Sequence, residues 1–157
     1  MIIAGTIVAA VGCGLIAGLF YVFSGFAMRS LGRMEPQHGA AAMRNINEDI
    51  LNPLFLLILL GTAVLSAVLT VVALANWSEP GSAWRLTGGL LYVVGVFGVT
   101  TVFNVPMNNR LAASDPSTAE GQAYWREYLR NWTAWNHVRT IASTAALAAL
   151  LLAVAAD

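Results

Sequence analysis

Four long apolar stretches dominate this chain, three without a single charged residue and a fourth with only Arg139 in its first turn. They cover residues 2–28, 51–75, 86–103 and 138–156. A helix of about 20 apolar residues crosses about 30 Å of hydrocarbon while pairing every backbone group within itself. The pattern therefore predicts an all-α, four-helix transmembrane bundle, antiparallel in chain order, forming a single domain over residues 1–157 with polar helical extensions on the cytoplasmic side.

Composition supports this and removes other classes. The chain is 58% apolar and 10% charged, against about 25% charged in soluble domains. Disorder is excluded, and a water-soluble fold is disfavoured. Eight arginines, no lysine and eight acidic residues leave zero net charge, so no basic face exists to release counterions from phosphates. Nucleic acid is not expected as a partner. Cys13 stands alone and can form no internal disulfide. The first stretch has no preceding positive residue and outlasts a secretion signal's apolar core, so it is read as a retained span.

Arginine placement sets the expected orientation. Arg29, Arg33 and Arg44 lie in the first connection, Arg110, Arg126 and Arg130 in the third, and Arg85 alone in the second. Both long connections are expected to face the cytoplasm of a bacterial-type inner or plasma membrane, with both termini outside. Gly14, Gly18 and Gly25 share one face of the first span. Ala142, Ala145, Ala149, Ala153 and Ala156 line the last. Small residues let helices approach closely in lipid. Such faces serve packing inside the bundle or a homo-oligomer contact.

The long connections also read as helical. Pro36 suits a first turn, and residues 40–50 continue as a polar extension of the second span, where Pro53 either kinks the helix or begins a new one. Residues 117–136 suit a helix capped by Ser117 or Thr118, with Tyr124, Tyr128 and Trp132 at steps of four. That helix is expected along, or dipping into, the interface.

Three polar clusters sit at cytoplasmic helix ends: residues 44–49, 104–110 and 132–140. Antiparallel order brings all three to one mouth of the bundle. In the last, Trp132, Trp135, Asn136, Arg139 and Thr140 form one helical stripe bordered by His137. It reads either as an aromatic belt with a snorkelling arginine or as a site. In the second, Asn104, Asn108 and Asn109 surround Pro106, which frees the carbonyl of Val102. Those amides read either as donors held toward a pocket or as a turn.

No metal site is expected: His38 and His137 are the only imidazoles, and HExxH, CxxC and CxxCH spacings are absent. A haem between the two histidines stays open as an alternative, although His38 lies in a Gln37-His38-Gly39 loop. Phosphate loops, GxSxG elbows and carboxylate pairs within a span are missing too.

The residues resemble a known family, the small four-helix membrane proteins of the anthrone oxygenase-like group. The resemblance rests on Ala17-Gly18-Leu19-Phe20, Met43-Arg44-Asn45-Ile46-Asn47, Phe103-Asn104-Val105-Pro106-Met107-Asn108-Asn109-Arg110-Leu111, and the Trp-x-x-Trp-Asn-His-x-Arg-Thr pattern of residues 132–140. It implies a membrane-embedded oxygenase that oxidises a flat, lipophilic aromatic substrate with dioxygen and no cofactor. It further implies His137 as base and Arg139, Asn104 and Asn108 as stabilisers of an anionic oxygen. Trp132 and Trp135 would stack on the substrate, with Asn136 beside them and Asn47 completing a polar rim. The implied partners are a small lipophilic aromatic molecule and membrane lipid. The alternatives are a non-catalytic lipophile-binding or structural membrane protein and a haem- or quinone-binding electron carrier.

Overall fold

The computed structural model describes residues 2–156, whose regular elements are all helices. These are α1 (Ile2–Gly32), α2 (Pro36–Asp49), α3 (Pro53–Ala75), α4 (Ser82–Ala113) and α5 (Ala119–Ala156). All but α2 are long and apolar enough to cross a membrane, and the chain is an integral membrane protein. Around the bundle α5 packs between α1 and α4, and α3 packs between α1 and α4 on the other side.

Local chemistry explains where the helices begin. Asn52 accepts a hydrogen bond from the Phe55 amide at 3.0 Å, and Pro53 occupies the first turn. This is an N-cap followed by a residue that needs no amide partner. Thus α2 is a separate helix across the mouth rather than an extension of α3. Before α4, Gly81 takes φ 71°, where a side chain would be strained. Before α5, Thr118 Oγ1 accepts from the Gly121 amide at 3.0 Å. The Ser117 hydroxyl and amide both donate to Asp115, holding its carboxyl below the ordinary range.

The helices outrun the apolar stretches. With 38 residues, α5 extends about 57 Å at about 1.5 Å per residue, nearly twice the hydrocarbon thickness. The stretch expected to lie along the interface is instead the first half of α5. Arg139 consequently sits mid-helix, not in a first turn.

Two cores follow from this length. One lies among the spans and joins Ala9, Ala10, Cys13, Ile16, Tyr92, Val96, Ala146 and Leu150. It depends on close approach: a Cβ on Gly12 would fall 2.0 Å from Thr62 Oγ1, and one on Gly95 would fall 2.6 Å from Ala142 Cβ. The small-residue face is placed differently from expectation. Gly18 has open space where a Cβ would stand, and Ala156 is exposed, whereas Ala142, Ala149 and Ala153 are buried. The second core gathers Met28, Leu31, Ala40, Met43, Leu111, Tyr124, Trp125, Tyr128 and Trp132 beneath α2.

Wide π-helical turns interrupt α1 at Phe23–Ala27 and α4 at Val93–Gly98 and Thr100–Asn104. Such turns add a residue to the helical repeat and are frequent at functional sites. The last one immediately precedes Pro106, whose missing amide hydrogen leaves the Val102 carbonyl without its usual donor. The helix continues through Pro106 to Ala113, so the asparagines around it lie on a helix and not in a turn.

Candidate functional site: a cavity at the mouth of the bundle

A cavity of about 370 Å³ opens where the two cores meet, within the range of small-molecule sites. Every helix contributes to its wall: Phe20 and Phe23 from α1, Met43 and Asn47 from α2, Phe55 and Leu59 from α3, Phe97, Thr100 and Asn108 from α4, Trp132 and Arg139 from α5. The three polar clusters of the sequence therefore do converge. Along the rim Leu60 on α3 and Thr101, Val105 and Asn109 on α4 are exposed as well as lining. The opening follows the α3–α4 seam.

Arg139 forms the floor and is only 4% exposed. One terminal nitrogen donates to Thr100 Oγ1 at 3.3 Å and the other to Asn136 Oδ1 at 2.8 Å. The guanidinium lies 4.1 Å from the Phe20 ring centroid and 5.0 Å from that of Trp132. Its Nε has no hydrogen-bond partner, and no carboxylate pairs with it among the described residues. A buried charge without a counter-ion is costly, and ring faces compensate for only part of that cost. The guanidinium thus stands on the cavity wall with its charge incompletely compensated by protein groups among the described residues.

Asn136 holds this arginine in place. Fully buried, it donates to the Phe20 carbonyl and to Ser24 Oγ, both at 2.8 Å, while its oxygen accepts from Arg139. The π-helical turn of α1 begins at Phe23 and includes Ser24. Asn136 does not line the cavity.

At the polar end, Asn108 Oδ1 accepts from Tyr128 OH and from Trp132 Nε1, both at 2.8 Å. Asn47 Nδ2 donates to Tyr128 OH at 3.4 Å. The indole of Trp132 thus joins the two ends, its face beneath the guanidinium and its N–H on Asn108.

The residues anticipated from sequence divide into three groups. Asn47, Asn108, Trp132 and Arg139 line the cavity. Asn104 and Asn136 are buried behind the wall, Asn104 donating to the Trp132 carbonyl at 3.3 Å with its own oxygen unpartnered. His137 and Trp135 are not brought to it: His137 is exposed, and Trp135 stacks on Phe103 at 3.6 Å between centroids. The reason is helical geometry. One residue beyond Asn136 is about 100° round the axis, and that turn carries the imidazole off the inward stripe. His38 is also exposed, on α2.

Sequence reasoning missed Tyr128, Phe20, Ser24, Thr100 and Glu48. Tyr128 was visible as part of the four-residue aromatic rhythm, and Glu48 as the neighbour of Asn47. Phe20 stood in the Ala17-Gly18-Leu19-Phe20 string that carries the resemblance, whereas Ser24 and Thr100 carry no signal apart from the packing that places them. Among the described residues no three His, Cys, Asp or Glu side chains gather as a metal set. A second hollow of about 400 Å³ lies over the loop before α5, lined by Arg110, Ser114, Asp115 and Tyr124. No buried unpartnered group faces it.

Comparison with known protein families matches residues 55–149 to the family described as Anthrone oxygenase. The matched segment holds α4 and most of α3 and α5, including Asn108, Trp132 and Arg139, while Asn47 lies before it. Neither the curated proteins nor the solved structures give a match.

Proposed function

Because the chain belongs to the anthrone oxygenase family, we propose that it oxidises a flat, lipophilic, acidic aromatic molecule with dioxygen, in the cavity floored by Arg139. The observation carrying this reading is a guanidinium, buried to 96% and without a counter-ion among the described residues, on the wall of a largely apolar cavity. A neutral lipophile would leave that charge uncompensated; an aromatic anion pairs with it and fills the apolar space.

The chemistry balances without a further reactant. An anthrone methylene loses a proton through its phenolic tautomer, leaving an anion whose oxygen rests on Arg139. The anion passes one electron to dioxygen, and the radical and superoxide combine through a new C–O bond. The peroxide oxygen takes up a proton. Loss of water then breaks the O–O bond and the remaining C–H bond, leaving a ketone. One dioxygen becomes one carbonyl oxygen and one water.

The roles follow from placement. Arg139 stabilises the negative oxygen, and a preorganised donor of this kind contributes about 2.7–4 kcal/mol to such a step. Phe20 and Trp132 hold the ring system, and Asn104 and Asn136 fix Trp132 and Arg139. His137 faces away from the cavity, so the proton leaves by the polar mouth. Of the lining residues Glu48, exposed at the rim, is the only carboxylate, and because it lines the cavity where His137 does not, it takes the base role that the resemblance gave to the imidazole. Substrate enters from the membrane along the α3–α4 seam. In this reading the mouth and both long connections face the cytoplasm.

Dioxygen uptake by purified protein in detergent, with an anthrone as substrate, tests the reading. Arg139→Gln should lower turnover by about 10²–10³-fold while retaining its melting temperature. A folded Arg139→Gln variant with wild-type turnover would refute it.

A further inference from the structure

Two amide side chains, Asn47 and Asn108, line the polar end of the cavity. Asn108 Oδ1 is taken twice over, by Tyr128 OH and Trp132 Nε1, each at 2.8 Å. The indole N–H can only donate and so demands an oxygen; a flipped amide would oppose N–H to N–H at Trp132, which fixes Oδ1 toward Trp132 and Tyr128. Its two Nδ2 hydrogens are thereby left facing elsewhere, and they have no protein acceptor among the described residues. The Tyr128 hydroxyl has given its proton to Asn108 and so can only accept, which it does from Asn47 Nδ2 at 3.4 Å. That bond orients Asn47 in turn and leaves its Oδ1 without a protein donor. Both side chains line the cavity.

We infer that Asn47 and Asn108, oriented through Tyr128, form a donor–acceptor pair that selects a ligand bearing a neutral hydroxyl at the end remote from its anionic group. A hydroxyl both accepts from Asn108 Nδ2 and donates to Asn47 Oδ1. An ether satisfies only Asn108, and a hydrogen atom satisfies neither. The spacing is set by Trp132, whose ring lies beneath Arg139 while its N–H reaches Asn108. Tyr128 is a positioning residue here, because it acts through the two amides. This inference rests on the anionic-ligand reading above and specifies the ligand's other end.

Three probes of one shape separate the contacts: 6-hydroxy-2-naphthoate, 6-methoxy-2-naphthoate and 2-naphthoate, titrated calorimetrically into the full chain in detergent. Wild type should bind them in that order, with about tenfold between the first and last, the worth of roughly 1.4 kcal/mol in hydrogen bonding. Asn47→Ala should erase the preference for hydroxy over methoxy. Asn108→Asp keeps an acceptor for Tyr128 and Trp132 but offers the ligand no donor, and should erase the preference for methoxy over hydrogen. Tyr128→Phe, the mildest change, should compress the whole series. Arg139→Gln should weaken all three together and preserve their order, so loss of the anion site is distinguishable from loss of this one. Equal binding of the three probes by wild type, or an unchanged order in both amide variants, would overturn the inference.

Discussion

The two halves of the bundle use polar side chains in opposite ways. Among the spans they mostly return to their own helix: Thr6 donates to the Ile2 carbonyl, Thr70 to that of Ser66 and Thr87 to that of Ala83. Tyr92, which reaches the Leu59 carbonyl at 3.3 Å, is an exception. At the mouth they cross between helices, from Asn136 to Phe20, Asn104 to Trp132, Tyr124 to Met107 and Ser24 to Thr140. The first half is held by shape, with small residues allowing close approach. The second is held by hydrogen bonds between large residues, and such bracing can keep a cavity open where close packing would fill it.

Substitutions in the two halves should therefore fail differently. The largest effect is expected at Arg139, where the glutamine variant loses about 10²–10³-fold in turnover but little in melting temperature. Glu48→Gln comes next, with a loss of about 10²-fold in turnover, as for a removed general base. Raising the pH until the anthrone is ionised in bulk should restore most of it, because the base is then bypassed. Persistent loss with ionised substrate would remove Glu48 from that role. In the packed half, Gly12→Val drives a side chain into Thr62 and should cost about 1–3 kcal/mol of stability, as overpacking does. Turnover per folded molecule should remain near wild type. If instead Gly12→Val abolished turnover in folded protein, the division between halves would fail. The smallest effect belongs to His137→Ala, expected to change neither turnover nor melting temperature. A strong loss there would return the imidazole to the mechanism.

The bundle was legible because lipid imposes a simple rule on helix composition: three charge-free stretches and a fourth interrupted only by Arg139 each overlap one of the four long helices. Their ends were less legible. Residues 104–113 and 119–137 are polar enough to look like connections, yet they extend α4 and α5 because they pack against α2 and one another in the second core. Convergence of the clusters also followed from topology alone. Rotation about each helix did not: Trp132, Asn136 and Arg139 share the inward stripe, whereas Trp135 and His137 fall outside it by angles that a list of motif residues does not encode. The π-helical turns add to this, since each shifts the register of the residues beyond it. The identity of Tyr128 as the hinge of two amides required seeing both partners at once.

The central claim is that the cavity receives an anion through Arg139, and a comparison of 2-naphthoate with neutral 2-naphthamide measures it directly. The two probes have nearly the same shape and differ in charge. Calorimetry should show wild type preferring the carboxylate by about ten- to hundredfold, the worth of hydrogen bonds to a charged group, and Arg139→Gln showing no preference. Equal affinity of wild type for both probes, or a preference that survives in Arg139→Gln, would contradict the account.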